Sequence, residues 1–290
     1  MADEKNDLSR RDFVALSLAA GLAAAAGNQL VSGAEMPVQV DNITVKTPDG
    51  MCDAAFIHPT TGSHPAVIIW PDAFGLRPSM IDMARRLATD GYSVLVPNPY
   101  YRMTKAPGID MNGFSFQNQA DMAKLRPLMG SIGAAGAAEK DATAFIAFLD
   151  AQKPVDKAKK VGAQGYCMGG PLVFRTMAAV PSRMGAGGSF HGGGLTTDQP
   201  TSPHLLIPKM KGRLYVAVAA NDDQRQPDSK DKLKAAFAAA NVPAEVEVYK
   251  SNHGWCVPDM PAEADKPIYN KPEAEQAWSK LMAMYKAALV

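Results

Sequence analysis

Apolar residues follow two rhythms along this chain. Residues 43–45 and 54–58 alternate on either side of Pro48-Asp49-Gly50, the pattern of two antiparallel edge strands joined by a turn. Pro65-Ala66-Val67-Ile68-Ile69-Trp70 is a continuous apolar run, which predicts a strand covered on both faces. Residues 77–90 then switch to helical spacing, with Met80, Met83, Ala84 and Leu87 on one side. The exchange repeats. Strands are expected at 92–96, 160–164, 213–219 and 245–249, with another possible strand just before Phe190. Helices are expected at 140–150, 171–179, 230–240 and 273–288, the first with Ala142, Phe145, Ile146 and Leu149 on one side. This alternation predicts an α/β fold, a mostly parallel sheet with helices on both faces. Ligands in such sheets bind at the carboxyl ends of the strands. Residues 100–129 are irregular and rich in Met, Asn and Gln, and are expected to form a cap or rim over that end.

The N-terminus departs from this pattern. Ser9-Arg10-Arg11-Asp12-Phe13-Val14 is a twin-arginine match, followed by an apolar run over residues 14–26 and small residues at Ser32-Gly33-Ala34. An apolar core of that length suits an export signal and is too short to span a bilayer. The expected organisation is a twin-arginine signal peptide at 1–34 and one catalytic domain at 35–290, with a periplasmic or secreted destination. No other segment is long and apolar enough to suggest a membrane span.

Composition narrows the function classes. Thirty basic residues balance 29 acidic ones, and no Lys/Arg cluster lies outside the extreme N-terminus, so a nucleic-acid surface is not expected. Three cysteines are too few for a disulfide framework, and their odd number leaves at least one unpaired within the chain. Cys52 and Cys256 are expected to be free and inert. His191, His204 and His253 share no ligand spacing with the cysteines, and no phosphate-binding glycine loop of the nucleotide type occurs. Neither a metal nor a cofactor is expected.

Gly165-Tyr166-Cys167-Met168-Gly169 carries the chemistry. It follows a predicted strand and precedes a predicted helix. Glycines two positions either side of a central nucleophile let a sharp strand-to-helix turn form without Cβ clashes. The helix that follows would present the Met168 amide to a developing oxyanion. A thiol is mostly protonated at neutral pH and needs a base. In turns of this kind the partners follow in the order nucleophile, acid, histidine. Downstream, one predicted strand runs into Asn221-Asp222-Asp223 and the next into His253-Gly254-Trp255. His253 is the expected base. Asp222 is preferred over Asp223 as the acid because it comes first after its strand. Upstream, Trp70-Pro71-Asp72-Ala73-Phe74-Gly75 joins a buried strand to a helix, where a second oxyanion amide, that of Ala73, is expected.

With Pro99-Tyr100-Tyr101-Arg102 added, these motifs resemble the dienelactone hydrolase (carboxymethylenebutenolidase-like) family over residues 49–289. The resemblance implies an α/β-hydrolase fold and a Cys167–His253–Asp222 triad that cleaves a small ester or lactone without cofactor. It also implies an acid that holds the resting thiol. That acid is usually glutamate, and Asp72 stands in its place, one methylene shorter. Family members that open dienelactone use two arginines to hold the substrate carboxylate. Arg102 matches the first, but Val257 occupies the position of the second, so a substrate other than dienelactone, or a broader range, is expected. His191 and Trp255 are candidates for the pocket wall. The chain is expected to work as a monomer or dimer. Two other classes stand beside this reading. One is a non-catalytic periplasmic binding protein that retains the fold. The other is a redox-active thiol protein, which the lack of a Cys-x-x-Cys pair disfavours.

Overall fold

The computed structural model describes residues 36–262 and 267–290. The proposed signal peptide at 1–34 lies outside the described residues. The two alternating stretches extend into a hairpin, β1 (Val38–Thr47) and β2 (Gly50–Pro59), paired antiparallel from Val38↔Pro59 to Thr47↔Gly50. β3 (Ala66–Trp70), β4 (Ser93–Pro97) and β5 (Val161–Tyr166) are buried along their whole length, as expected of central strands covered on both faces, with Ser93 and Gln164 the buried polar residues among them. β6 (Met184–Phe190), β7 (Arg213–Val218) and β8 (Ala244–Val248) complete one eight-stranded sheet in the order β1-β2-β4-β3-β5-β6-β7-β8. Every pairing from β4 to β8 is parallel, and β1–β2 and β2–β4 are antiparallel.

Because successive strand residues point to opposite faces, the central strands feed two separate cores. Val67, Ile69, Val94 and Val96 pack with α1 (Pro78–Thr89) and α7 (Lys271–Leu289). Ile68, Trp70, Leu95 and Ala163 pack on the other side with α3 (Ala137–Asp150) and α4 (Gly169–Ala179). α6 (Ser229–Ala239) joins this second layer through Leu233 and Phe237. A short helix, α5 (Ala220–Arg225), follows β7 directly.

The 100–129 segment differs in part from the irregular rim expected of it. Its second half begins a helix, α2 (Gln119–Gly133), which buries only Leu125, Leu128 and Ile132 and carries Pro127 within it. So sparse an apolar stripe leaves little periodicity to detect. Its one clear start signal is Asn118, whose side chain accepts the Ala120 and Asp121 amides at 2.8 and 3.4 Å. The first half does border the site: residues 114–117 line a cavity beside Cys167.

Candidate active site

The turn between β5 and α4 forces Cys167 into the left-handed region, with φ 52°. A non-glycine residue held there is strained, and such strain persists where the surroundings impose it. The surroundings here are the two flanking glycines. A Cβ on Gly165 would collide with the Gly169 carbonyl, and a Cβ on Gly169 would collide with the Trp70 carbonyl. Only glycine lets α4 approach the strand ends this closely. The Cys167 amide donates both to the Phe190 carbonyl (3.0 Å) and to Nδ1 of His191 (3.1 Å). The turn is thereby tied to the end of β6.

β7 and β8 deliver the two remaining groups. His253 Nδ1 and Asp222 Oδ2 lie 2.6 Å apart, and the His253 amide donates to Asn221 Oδ1 at 2.9 Å. The backbone and ring of the histidine are thus both fixed from the β7–α5 junction. Asp223, the competing acid, turns away and pairs with Lys230 at 2.7 Å. With Nδ1 turned to the carboxylate, the other ring nitrogen of His253 is left to the Cys167 side chain. Burial alone would lower the histidine's pKa. The Asp222 carboxylate bonded to the ring and the neighbouring Cys167 side chain outweigh burial and raise it to about 10. The arrangement thus favours the protonated ring.

The two residues expected to supply oxyanion amides also fall beside Cys167. Ala73 and Cys167 line one cavity of about 420 Å³. Met168 lines a second, of about 430 Å³, which also reaches Cys167. Tyr100, fully buried, bridges the two residues: its hydroxyl donates to the Ala73 carbonyl at 2.7 Å and lies 3.4 Å from Met168 Sδ.

Four expectations need correction. Asp72 lines the cavity, but both its oxygens are taken by Arg77, at 2.7 and 2.9 Å, and one also accepts the Phe74 amide. A buried carboxylate demands such a partner, and this one directs Asp72 to Arg77, with no contact to the Cys167 thiol among its hydrogen bonds. Arg77 continues to Asp259 at 2.8 Å, so the pair clamps the β3–α1 loop to the loop after His253. Arg102 is not among the cavity residues. Its guanidinium is committed to Asp141, fully buried on α3, and to Asp49 in the β1–β2 turn. Trp255 is fully buried and stacks on Tyr249 with ring centroids 5.0 Å apart, so it belongs to the core and not to the cavity wall. His191 is also fully buried. It takes no part in the wall, and instead backs the Cys167 amide with its ring 4.7 Å from that of His253. Burial, and then the charge on His253, push its pKa well below the usual value, so it is neutral and free to accept at Nδ1. Its contact with the nucleophile's amide was not foreseen, and only its place at the end of a predicted strand pointed towards the site.

Val257 is buried in the core. Cys52 and Cys256 are free and buried, and burial raises both thiols above the ordinary range, which keeps them protonated and unreactive. No group of His, Cys, Asp and Glu able to hold a metal occurs among the described residues.

A family model described as the dienelactone hydrolase family matches residues 52–289. A carboxymethylenebutenolidase of Rhodococcus opacus is 27% identical over 192 residues, covering 65% of this chain and 69% of its own. A Synechocystis sp. protein provisionally given the same name is 26% identical over 232 residues, covering 79% and 88%. Among solved structures, a dienelactone hydrolase-like promiscuous phosphotriesterase from metagenomic libraries aligns with a TM-score of 0.71 at 21% identity, over 87% of this chain and 99% of its own. A dienelactone hydrolase from Anabaena variabilis aligns with a TM-score of 0.60 at 14% identity, over the same shares. At such identities the solved structures establish the fold, while the sequence match extends over most of the chain and takes in Cys167, Asp222 and His253 together: the protein belongs to the dienelactone hydrolase family.

Proposed function

We propose that this hydrolase cleaves carboxylic esters or enol-lactones through a thioester on Cys167, with His253 as the proton carrier and Asp222 as its orienting acid. The observation that carries the reading is the 2.6 Å contact between Asp222 and His253, on a histidine that lines one cavity with the strained Cys167 of the β5–α4 turn. The thiolate attacks the carbonyl carbon. The amides of Met168 and Ala73 stabilise the oxyanion, a contribution that is typically worth a few kcal/mol per donor in related sites. His253 then gives its proton to the departing oxygen. Water attacks the thioester with His253 taking its proton, the acid is released, and the thiolate–imidazolium pair returns. Asp72 has no part in this cycle beyond holding the loop that supplies Ala73.

Cys167→Ala is expected to remove turnover of p-nitrophenyl acetate and of small lactones while leaving the melting temperature close to that of the wild type. Unchanged turnover in that variant contradicts the reading. Substrate binding without turnover in the wild type would favour the binding-protein alternative.

We propose further that the protein works outside the cytoplasm, on the strength of Arg10-Arg11, the apolar run at 14–26 and the small residues at 32–34. Cell fractionation is expected to find it in the periplasm, and to find the Arg10→Lys, Arg11→Lys double variant retained inside. An unchanged distribution counts against export by this route.

A further inference from the structure

The two cavities that meet at Cys167 differ in one decisive residue. His253 lines the first, together with Ala73, Phe74 and Phe116, and is absent from the second, which Met168, Met129, Ile132 and Leu172 help to wall. This difference sets the direction of a bound ester, on the hydrolytic reading given above. When the thiolate forms its bond to the carbonyl carbon and the carbon–oxygen bond breaks, the electron pair goes to the alcohol oxygen. That oxygen must collect the proton held by His253, so the alcohol portion lies in the His253 cavity. The acyl portion, which stays on sulfur, is left to the cavity over α2 and α4.

The His253 cavity is aromatic. Phe74, next to the Ala73 amide, meets the ring of Phe114 edge-on at 5.2 Å. Phe114 in turn meets Phe116 at 5.1 Å and 76°. Phe74 and Phe116 close the triangle at 5.5 Å. The three rings run from a fully buried position out to Phe116, which is 51% exposed at the cavity mouth. Edge-to-face packing leaves ring faces open to a further ring, and a large exposed aromatic at the rim of a cavity is what a binding surface presents. The acyl cavity has no aromatic side chain: methionine and aliphatic residues of α2 and α4 wall part of it, and Arg175, Thr197, Gln199, Thr201 and Ser202 give the rest a polar lining. A small lactone keeps both portions in one ring and would leave one lobe empty.

We infer that the preferred substrates are open-chain esters with an aryl or similarly flat, unsaturated alcohol portion seated on Phe74, Phe114 and Phe116, and a compact, non-aromatic acyl portion beneath α2. Phe114 and Phe116 are the specificity-determining residues.

The test compares kcat/KM for a phenyl-type ester and a fluoroalkyl ester of the same acid, their alcohols matched in pKa so that leaving-group chemistry cancels. The wild type is expected to favour the aryl ester by roughly three- to ten-fold, the range that one or two aromatic contacts supply. The Phe114→Ala, Phe116→Ala double variant is expected to lose most of that preference, chiefly through KM for the aryl ester. Phe116→Ala alone removes an exposed ring, so it keeps the comparison readable if the double variant folds poorly, and it should lose part of the preference. Equal rates on both esters in the wild type, or an aryl preference untouched in the variants, overturns the inference while leaving the hydrolase reading intact. Turnover of neither ester by the wild type overturns this inference, and turnover of neither these esters nor a small enol-lactone overturns the hydrolytic reading as well.

Discussion

The site turns on where one proton sits. Taken alone, burial would discharge His253, yet Asp222 and Cys167 raise its pKa from 6.5 to about 10. The folded value lies above the unfolded one. The stability this histidine contributes is therefore complete below about pH 6.5 and is lost as the pH rises towards 10. Nitrogen NMR of the His253 ring should find it protonated at pH 8 in the wild type. Cys167→Ala should lower its titration midpoint, and Asp222→Asn should lower it too, since each removes one of the raising interactions. A ring titrating near 6.5 in the wild type would show that the three groups are not coupled. At this scale a sharp turn, a strand end and a fixed chain order singled out Cys167, Asp222 and His253, and the fold places Asp222 against His253 and His253 with Cys167 on one cavity. The sequence was misleading about Asp72 and Arg102. Asp72 is held by Arg77, five positions on, which itself reaches across to Asp259, 182 positions away, and Arg102 is held by Asp141, 39 positions away. A local motif carries no record of such partners.

Between elements, the Asp72–Arg77–Asp259 chain is the part of the site with the clearest structural duty. Arg77 is 6% exposed and Asp72 1%. Replacing Arg77 by Met would leave a buried carboxylate uncompensated, a change that typically costs about 3–5 kcal/mol. Arg77→Met should therefore lower the unfolding free energy by about that amount in denaturant titration. It should also weaken turnover, because the loop after His253 loses its anchor. A loss within about 0.5 kcal/mol, the range of an ordinary surface substitution, would mean that the clamp is not needed. The strands and most helices were legible at this scale because burial on one or both faces imposes a period on the sequence. α2 was not. It lies across the molecule with three buried side chains and a proline, so packing against α3 and the cap Asn118 define it more than its own pattern does.

For the molecule as a whole, the strand order explains why residues so far apart in the chain converge. β3, β5 and β7 run parallel, and β8 extends them, so their carboxyl ends lie along one edge of the sheet. Ala73, Cys167, Asp222 and His253 each follow one of those ends. This is the general rule for parallel sheets, and it is why the fold class could be read from strand–helix alternation while the substrate could not. On the reading proposed above, selectivity depends on two cavities whose walls come in part from α2, from residues 114–117 and from the loop around Met260, segments with little periodicity. The central claim is a covalent intermediate on one sulfur. Rapid acid quench during p-nitrophenyl acetate turnover, followed by intact mass and peptide mapping, tests it most directly. The predicted result is a mass gain of one acetyl group, confined to the peptide that holds Cys167 and absent in Cys167→Ala. Full turnover with no acyl adduct, or an adduct on another residue that turns over at the steady-state rate, would contradict it.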